Sequence, residues 1–570
     1  MLSRPATAHE DGVAPPLGAG AVVDPAPEER PERALILPPF RAAPRRPGRT
    51  VVLLLALAGT CFFYGLIYAF FTPYLLVPIL LPLAPLGLVT IWAMPDFPRA
   101  PIRTLVGLFF VGFVLGVMWP NYLALALPGL PWITIARITG FPLLLLLLVC
   151  VSSSPDFRRQ TAESLKSAPM LSWLVIAFTV LICLSVLISA TPLGSIQALI
   201  VYLVGGTAIF FVAAFAFRKP GTIERWAALI WATAVALSIM CGFEHHVRHV
   251  LWAGHVPSFL KVNDKLMARY LAGGGRNYTG IYRSNGPFST SLGMGEFLAL
   301  ATPFILQFLI GEYRTRTRIA AGLSIFVVFF GLSWTGSRTG IIGFLIALLL
   351  YVLIWGVRRW RAHRSSLLGP ATVLAYPAIG LVAVALTFVS GRVHNFVWGN
   401  GATKSSNDAR TQQWHMALPK ILHRPWGYGI DRAGVTLNYH QPNGLLTIDI
   451  YWLALVLEYG ILGALLFLAI LASGVSYSAR RLLRDVRPIR DLDFLNSTMA
   501  ALAAFIVMAI TFAGEDNLPI VYMILGAVAA LTWRARNEVE TPRERSVSAA
   551  PAIDAGLGRT RRRPVSADVS

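Results

Sequence analysis

The chain has 570 residues, of which 55% are hydrophobic and 14% are charged. A soluble domain carries about 25% charged residues, so this composition excludes a globular protein with a fully water-covered surface. The formal net charge of +21 would suggest nucleic acid as the partner of a soluble protein. Here the arginines lie between apolar blocks, where they face anionic lipid, and no nucleic-acid partner is expected.

Long uncharged blocks predict an all-α integral membrane protein. About 20 apolar residues cross the hydrocarbon core as a helix, and blocks of that length predict about 12 to 14 transmembrane helices, with fourteen as the preferred number. The predicted cores are 51–72, 74–94, 103–124, 131–152, 171–190, 196–217, 224–243, 291–311, 318–334, 339–356, 370–389, 449–471, 494–513 and 517–534.

The predicted organisation alternates polar and membrane segments. Residues 1–50 and 535–570 are polar, lack an apolar period and are interpreted as disordered tails. Between them lie N-terminal transmembrane helices, a first outward segment, central transmembrane helices, a large outward loop and C-terminal transmembrane helices. Their ranges are 51–243, 244–290, 291–389, 390–448 and 449–534.

The charges of the short loops predict the orientation. Loops rich in Arg and Lys alternate with short loops that carry essentially none. The basic loops lie near 99–103, 158–166, 218–225, 314–318, 358–364 and 480–490. Because cytoplasmic loops hold the excess of Lys and Arg, both termini are predicted to be cytoplasmic, and both long segments are predicted to face outward.

The large outward loop, residues 390–448, carries a cluster of polar and aromatic residues. Arg410 and Trp414 are one helical turn apart, so they share a face of a predicted amphipathic interfacial helix over 410–422. Asp449 follows the loop at the start of the next span, where a carboxylate also suits a helix N-cap.

Four motifs follow one another at outward positions. They are Arg283-x-x-Gly286-Pro287-Phe288, Ser337-Arg338-x-Gly340, Arg410 with Trp414 and Pro425-x-Gly427-x-Gly429, and a polar residue before Tyr451 with Glu458-x-Gly460. Together they resemble the O-antigen ligase/polymerase family, over about residues 190–475. The resemblance implies a metal-independent, inverting glycosyltransferase without a cofactor, acting on the periplasmic face of the bacterial inner membrane.

The resemblance also implies a polyprenyl-pyrophosphate-linked oligosaccharide as donor. Planar guanidinium groups suit its two phosphates, so the candidates for binding them are Arg283, Arg338 and Arg410. Trp414 and Tyr451 are further candidates for substrate binding. Each arginine has a structural alternative, such as pairing with loop carboxylates or anchoring at lipid headgroups.

Activation of the acceptor hydroxyl needs a general base, for which Asp449 is the first candidate and His440 the second. Ligases of the family usually carry histidine at the position of Asp449, whereas polymerases often carry Asp. The aspartate at position 449, in place of the histidine of ligases, favours a polymerase. Such a polymerase builds O-antigen or exopolysaccharide by transferring a lipid-linked glycan to a sugar hydroxyl of another lipid-linked repeat unit. A ligase that transfers glycan to the lipid A core is the alternative.

A lipid-oligosaccharide transporter or flippase is the alternative from another class. Transporters place ionisable residues near the middle of their spans, whereas the predicted spans are almost free of them in the middle. Arg137, near the start of its span, is the main exception. The expected partners are the lipid-linked oligosaccharide and membrane lipid, and the sequence leaves open whether a chain-length regulator takes part.

Overall fold

The computed structural model describes most of the chain between the two predicted tails. The described residues are 47–70, 76–96, 100–125, 132–260, 270–271, 282–391, 394, 404–440, 444, 446–484, 491–511, 514 and 516–548. Most of the predicted tails and parts of both predicted outward segments lie outside the described residues.

Helices make up nearly all of the described chain. In the N-terminal half they are α1 (Pro47–Phe70), α2 (Leu76–Ala93), α3 (Ile102–Met118), α4 (Ile135–Ser153), α5 (Pro155–Ser167), α6 (Pro169–Ser185), α7 (Pro192–Tyr202), α8 (Ala208–Ala216) and α9 (Thr222–Val247). A π-helical segment, Leu203–Thr207, joins α7 to α8. Two-residue strands β1 (Ala124–Leu125) and β2 (Ile133–Thr134) pair antiparallel before α4.

The C-terminal half continues the helical pattern. Its helices are α10 (Ser291–Ile310), α11 (Thr315–Thr335), α12 (Arg338–Ala362), α13 (Leu368–Val389), α14 (Lys404–His423), α15 (Ala433–Leu437), α16 (Tyr451–Arg484), α17 (Phe494–Met508) and α18 (Leu518–Ser548). Short 3₁₀ turns lie at Val186–Ile188 and Ser258–Leu260.

The prediction of an all-α membrane protein is confirmed. Among the described residues, ten helices or helix runs are long and apolar enough to cross a membrane, while α3 and α17 are shorter apolar helices. Each predicted core overlaps a helix, but length and apolarity support ten spans, and the predicted number of fourteen stays a prediction. Helix α18 continues to Ser548, beyond the end of the last predicted core at residue 534.

The core of the bundle lies around α10 and α18, the two most buried of the apolar helices. Helix α10 packs against α9, α11, α12 and α17, and α18 packs against α8. Small residues permit this close approach: a Cβ atom on Gly526 of α18 would lie 2.7 Å from the Phe210 carbonyl oxygen of α8. Glycine at this contact therefore sets the distance between the two helices.

One end of the bundle is held by ion pairs. Arg534 near the end of the apolar part of α18 pairs with Asp491 at 2.5 Å, and Arg358 of α12 pairs with Asp493 at 2.7 Å. At the opposite end of α18, Asn517 donates to the Gly293 carbonyl oxygen at the start of α10 at 2.8 Å. The predicted cytoplasmic loops contribute to the first end, and the predicted site residues lie at the second.

Candidate active site

Two arginines distant in sequence converge on one oxygen atom. Arg338 is the first residue of α12, and its Nη2 donates to Asn407 Oδ1 at 3.4 Å. Arg410 of α14 donates to the same oxygen through Nη1 at 3.3 Å, and through Nη2 to the Thr511 carbonyl oxygen at 3.2 Å. The start of a long helix adds partial positive charge. This arrangement therefore brings two guanidinium groups together at the start of α12.

Arg283 lies at the turn that precedes α12. Its Nη2 donates to the carbonyl oxygen of Gly336, and the Ser284 amide donates to the Trp334 carbonyl oxygen at 3.2 Å. Gly336 adopts a left-handed conformation with φ 59°, which turns the chain directly from α11 into α12. Arg283 thus contacts Gly336, which is two residues before Arg338 in the chain. The third candidate arginine therefore lies at the same helix start as Arg338.

A buried carboxylate holds the Arg283 segment in place. Glu244, at the end of α9, is 0% exposed. Its Oε1 accepts from the Tyr282 hydroxyl at 2.6 Å and from the Asn285 amide at 3.2 Å, while its Oε2 accepts from the Gly286 amide at 2.8 Å. These bonds clamp the Tyr282 side chain before Arg283 and the backbone of residues 285 and 286 after it, so Glu244 is a positioning residue that sequence reasoning missed.

Glu244→Gln is expected to loosen this clamp. The new amide nitrogen cannot accept from a backbone N–H, so one buried donor loses its partner, at about 1–3 kcal/mol of stability. We expect faster trypsin cleavage after Arg283 and a lower unfolding midpoint in detergent. Glu224→Gln, in the first turn of the same helix, is the control. Equal protection of Arg283 in all three proteins would contradict the clamp.

Asp449 lies beside the helix that carries Arg410. Gln413, one turn further along α14, donates through Nε2 to Asp449 Oδ2 at 3.4 Å and accepts from the Asp449 amide through Oε1 at 2.9 Å. The Thr447 hydroxyl donates to Asp449 Oδ1 at 3.3 Å. The Tyr451 amide donates to the Ala509 carbonyl oxygen at 3.1 Å, close to the residues of the α17 end that contact Arg410. Gln413 therefore joins Asp449 to the arginine site.

The other candidates occupy different surroundings. His440 is exposed and forms an isolated antiparallel bridge with Leu446, three residues before Asp449. Trp414 is 46% exposed, whereas Tyr451 is buried with its ring against aromatic neighbours of α16 and α17. The structure thus gathers Arg283, Arg338, Arg410 and Asp449 at one end of the bundle, and their catalytic roles stay predictions.

The glycine motifs form a backbone crossing next to this site. Helix α16 breaks at Gly460, which has φ 73° and ψ −179°. The segment after α14 runs across the break: the Tyr428 amide donates to the Leu457 carbonyl oxygen at 2.8 Å, and the Ile461 amide donates to the Pro425 carbonyl oxygen at 3.1 Å. These bonds satisfy backbone groups that the interrupted helix leaves unpaired. The glycine motif around Gly427 and the motif around Gly460 therefore contact each other through their backbones.

Gly460→Ala is expected to lower the free energy of unfolding by about 3 kcal/mol, because its backbone conformation is accessible essentially to glycine alone. The added Cβ atom would also collide with the carbonyl oxygen of Pro425. The measurement is the unfolding midpoint in detergent. Gly107→Ala is the control, since a Cβ atom there meets nothing within 4 Å; equal effects of the two changes would contradict the crossing.

The fold and the site together define a multi-pass membrane protein with a cationic site at one end. Among the described residues, no group of three or more His, Cys, Asp and Glu side chains is arranged to hold a metal ion. Residues 323–468 match the family model described as O-antigen ligase. The match confirms the predicted resemblance to the O-antigen ligase/polymerase family, whose members are membrane enzymes that handle glycans. No curated protein matches the chain.

The matched range includes two of the three arginines and the candidate base, but neither Arg283 nor Glu244. Sequence reasoning missed Asn407 and Gln413 as well. These residues flank Arg410 by three positions on either side, which places all three on one helix face. That spacing is the signal by which they could have been found.

Proposed function

We propose that the chain is a polysaccharide polymerase of the bacterial inner membrane. It transfers a glycan from a polyprenyl-pyrophosphate carrier to a sugar hydroxyl of a second lipid-linked repeat unit on the periplasmic face. The observation that carries the proposal is the convergence of Arg338 and Arg410 on Asn407, beside Asp449. We further propose fourteen spans with both termini in the cytoplasm.

The cationic site suits a pyrophosphate leaving group. When the bond between the anomeric carbon and the phosphate oxygen breaks, the electron pair stays on the pyrophosphate. Guanidinium groups bind that developing charge through paired N–H donors. Arg283, Arg338 and Arg410 would be held ready by the contacts to Gly336, Asn407 and Thr511, so little reorganisation accompanies the reaction.

The carboxylate suits activation of the acceptor. The acceptor hydroxyl oxygen forms the new bond to the anomeric carbon, and its proton passes to Asp449. Attack opposite the departing pyrophosphate inverts the anomeric centre. Protein side chains supply every role in this scheme, so the proposed reaction is metal-independent and needs no cofactor. His440 is the second candidate base because its backbone pairs with that of Leu446, three residues before Asp449.

A ligase that transfers glycan to the lipid A core is the second candidate. The family model that matches the chain is described as O-antigen ligase, which favours this candidate. The cationic site would bind the same donor in either reaction. The aspartate at position 449, where ligases usually carry histidine, favours the polymerase. Only the acceptor distinguishes the two reactions.

Purified protein in liposomes tests the proposal. The vesicles contain lipid-linked repeat units, with or without lipid A core, in a buffer with chelator. The expected result is a ladder of glycan lengths on the polyprenyl carrier in both preparations. Glycan found only on the lipid A core would establish the ligase instead. Movement of the lipid-linked glycan across the bilayer without any new glycosidic bond would establish a transporter.

A further inference from the structure

Two cavities meet beside the candidate active site. One, of about 340 Å³, lies among α3, α4, the π-helical segment and the start of α18. The other, of about 370 Å³, lies among α6, α7, the segment before α15 and the first turns of α16. Both are lined by Arg137, Val201, Gly205 and Pro519. These four residues therefore form a common border between the cavities.

The first cavity is mainly apolar, although Asn121, Thr134 and Thr139 are also among its lining residues. Its lining includes Phe109, Phe113 and Val117 of α3 and Leu143 of α4, with glycines at positions that leave space between the two helices. Asp516 is the acidic exception. Burial raises the pKa of the Asp516 carboxyl group. The Ser289 hydroxyl donates to this carboxylate at 2.5 Å and partly offsets that rise in pKa. Such a lining suits a hydrocarbon chain.

The second cavity has a mixed polar and apolar lining that includes Gln197, Asp431 and Glu458. Tyr451, Leu455 and Glu458 lie on one face of α16 and line this cavity, and Asp449 lies two residues before the first of them in the chain. Asp431 adds a second carboxylate. Carboxylate oxygens accept hydrogen bonds from hydroxyl groups, and convergent polar groups with aromatic side chains are typical of a small-molecule site. This lining suits sugars and disfavours phosphates.

Arg137 supplies the positive charge at the border. It lies in the first turn of α4, where its amide donates to Thr134 Oγ1 at 3.3 Å and its Nη1 donates to the Trp132 carbonyl oxygen. None of the ion pairs among the described residues includes Arg137. Ionisable residues within membrane spans are costly and usually functional. The adjacent π-helical segment is a further irregularity of the kind found at functional sites.

We propose that the two cavities together bind the lipid-linked acceptor, with its polyprenyl chain in the first cavity, its phosphate groups on Arg137 and its sugars against the carboxylates of the second cavity. The order of apolar, cationic and carboxylate-lined surfaces matches the order of chain, phosphate and sugar in such a molecule. The inference rests on the proposed polymerase function, because that reaction needs an acceptor on a polyprenyl carrier.

Native mass spectrometry of the full chain with undecaprenyl phosphate as the probe tests this site. Wild-type protein is expected to bind two probe molecules, one at the arginines around α12 and one at Arg137. Arg137→Ala weakens the second binding event about tenfold or more, the size expected for the loss of a charge-assisted hydrogen bond. Arg103→Ala, an exposed cation near the other end of α3, leaves both events unchanged.

A second variant fills the apolar cavity without a clash. Gly116 lines this cavity, and a Cβ atom there meets nothing within 4 Å, so Gly116→Leu is expected to block the chain and leave one bound probe. Gly107→Leu is the matched control on the same helix, because Gly107 is exposed and also has free space. Arg410→Ala is expected to remove the other probe molecule and spare this one.

The proposed acceptor site is contradicted by either of two results. Two probe molecules retained in both Arg137→Ala and Gly116→Leu would overturn the acceptor site. Phosphatidylglycerol that displaces the second probe at equal concentration would show an ordinary membrane-lipid site, which also overturns it. The count of bound lipid does not depend on turnover. A protein that binds two probes as described but forms no polymer in liposomes would overturn the polymerase function and leave the lipid site standing.

Discussion

Arg410→Ala is expected to lower the rate of glycan transfer about 100- to 1,000-fold, the range for removing one preorganised donor that stabilises transition-state charge. The arginine bridges Asn407 of its own helix and the Thr511 carbonyl oxygen, so its guanidinium plane is fixed before substrate binds. Arg410→Lys should recover only part of the rate, since an ammonium group cannot form the paired N–H contacts. Single-turnover transfer in liposomes is the measurement.

The control for this change is Arg424→Ala. Arg424 belongs to the same predicted outward segment, is exposed and lies over the Tyr428 ring at 5.3 Å. Its loss should leave transfer near the wild-type rate. If Arg410→Ala and Arg424→Ala reduced transfer equally, general attraction of the anionic donor would explain the result, and the specific role of Arg410 would be rejected.

Asp449→Asn is expected to lower the transfer rate about 100- to 10,000-fold, the range for loss of a general base. Asparagine is nearly isosteric and retains an acceptor oxygen for the Gln413 or Thr447 contact, so a helix cap or a packing role would survive. Binding of undecaprenyl pyrophosphate should be no weaker than in the wild type. Single-turnover transfer and lipid binding, measured on the same preparation, separate the chemical step from donor binding.

His440→Ala is the companion variant. The side chain of His440 is exposed, and with Asp449 as the base its removal should leave the rate near that of the wild type. A large loss in His440→Ala combined with normal transfer in Asp449→Asn would assign proton abstraction to the histidine. A weaker affinity for undecaprenyl pyrophosphate in Asp449→Asn would show instead that the carboxylate organises the arginine site.

The membrane helices could be predicted from the sequence because apolar length is a local property. Every predicted core overlaps a helix. The break in α16 was not predicted, because the residues around Gly460 are apolar apart from Glu458 and long enough for one helix. The helical continuation of α18 to Ser548 was also missed. A polar composition was interpreted there as disorder, although Arg and Glu are good helix formers.

The site could be predicted only as a set of residue types. Motif order suggested Arg338 and Arg410, but the oxygen of Asn407 that they share depends on the packing of α12 against the start of α14, which no local pattern specifies. Glu244 was overlooked for the same reason, because it lies in α9, whereas the segment that it holds lies about 40 residues later in the chain. Arg137 was noted as an exception, yet its place between two cavities depends on packing among α4, α7 and α18.

The crossing at Gly427 and Gly460 has a consequence for building hybrid enzymes. A Cβ atom on Gly427 would collide with the Glu458 carbonyl oxygen, and one on Gly460 with that of Pro425, so each strand of the crossing is shaped by the other. An exchange of the predicted outward loop between related enzymes should therefore carry the first eleven residues of α16 along with it. A junction placed at the predicted span boundary near residue 449 would combine mismatched partners, whereas one placed after Ile461 keeps the pair together.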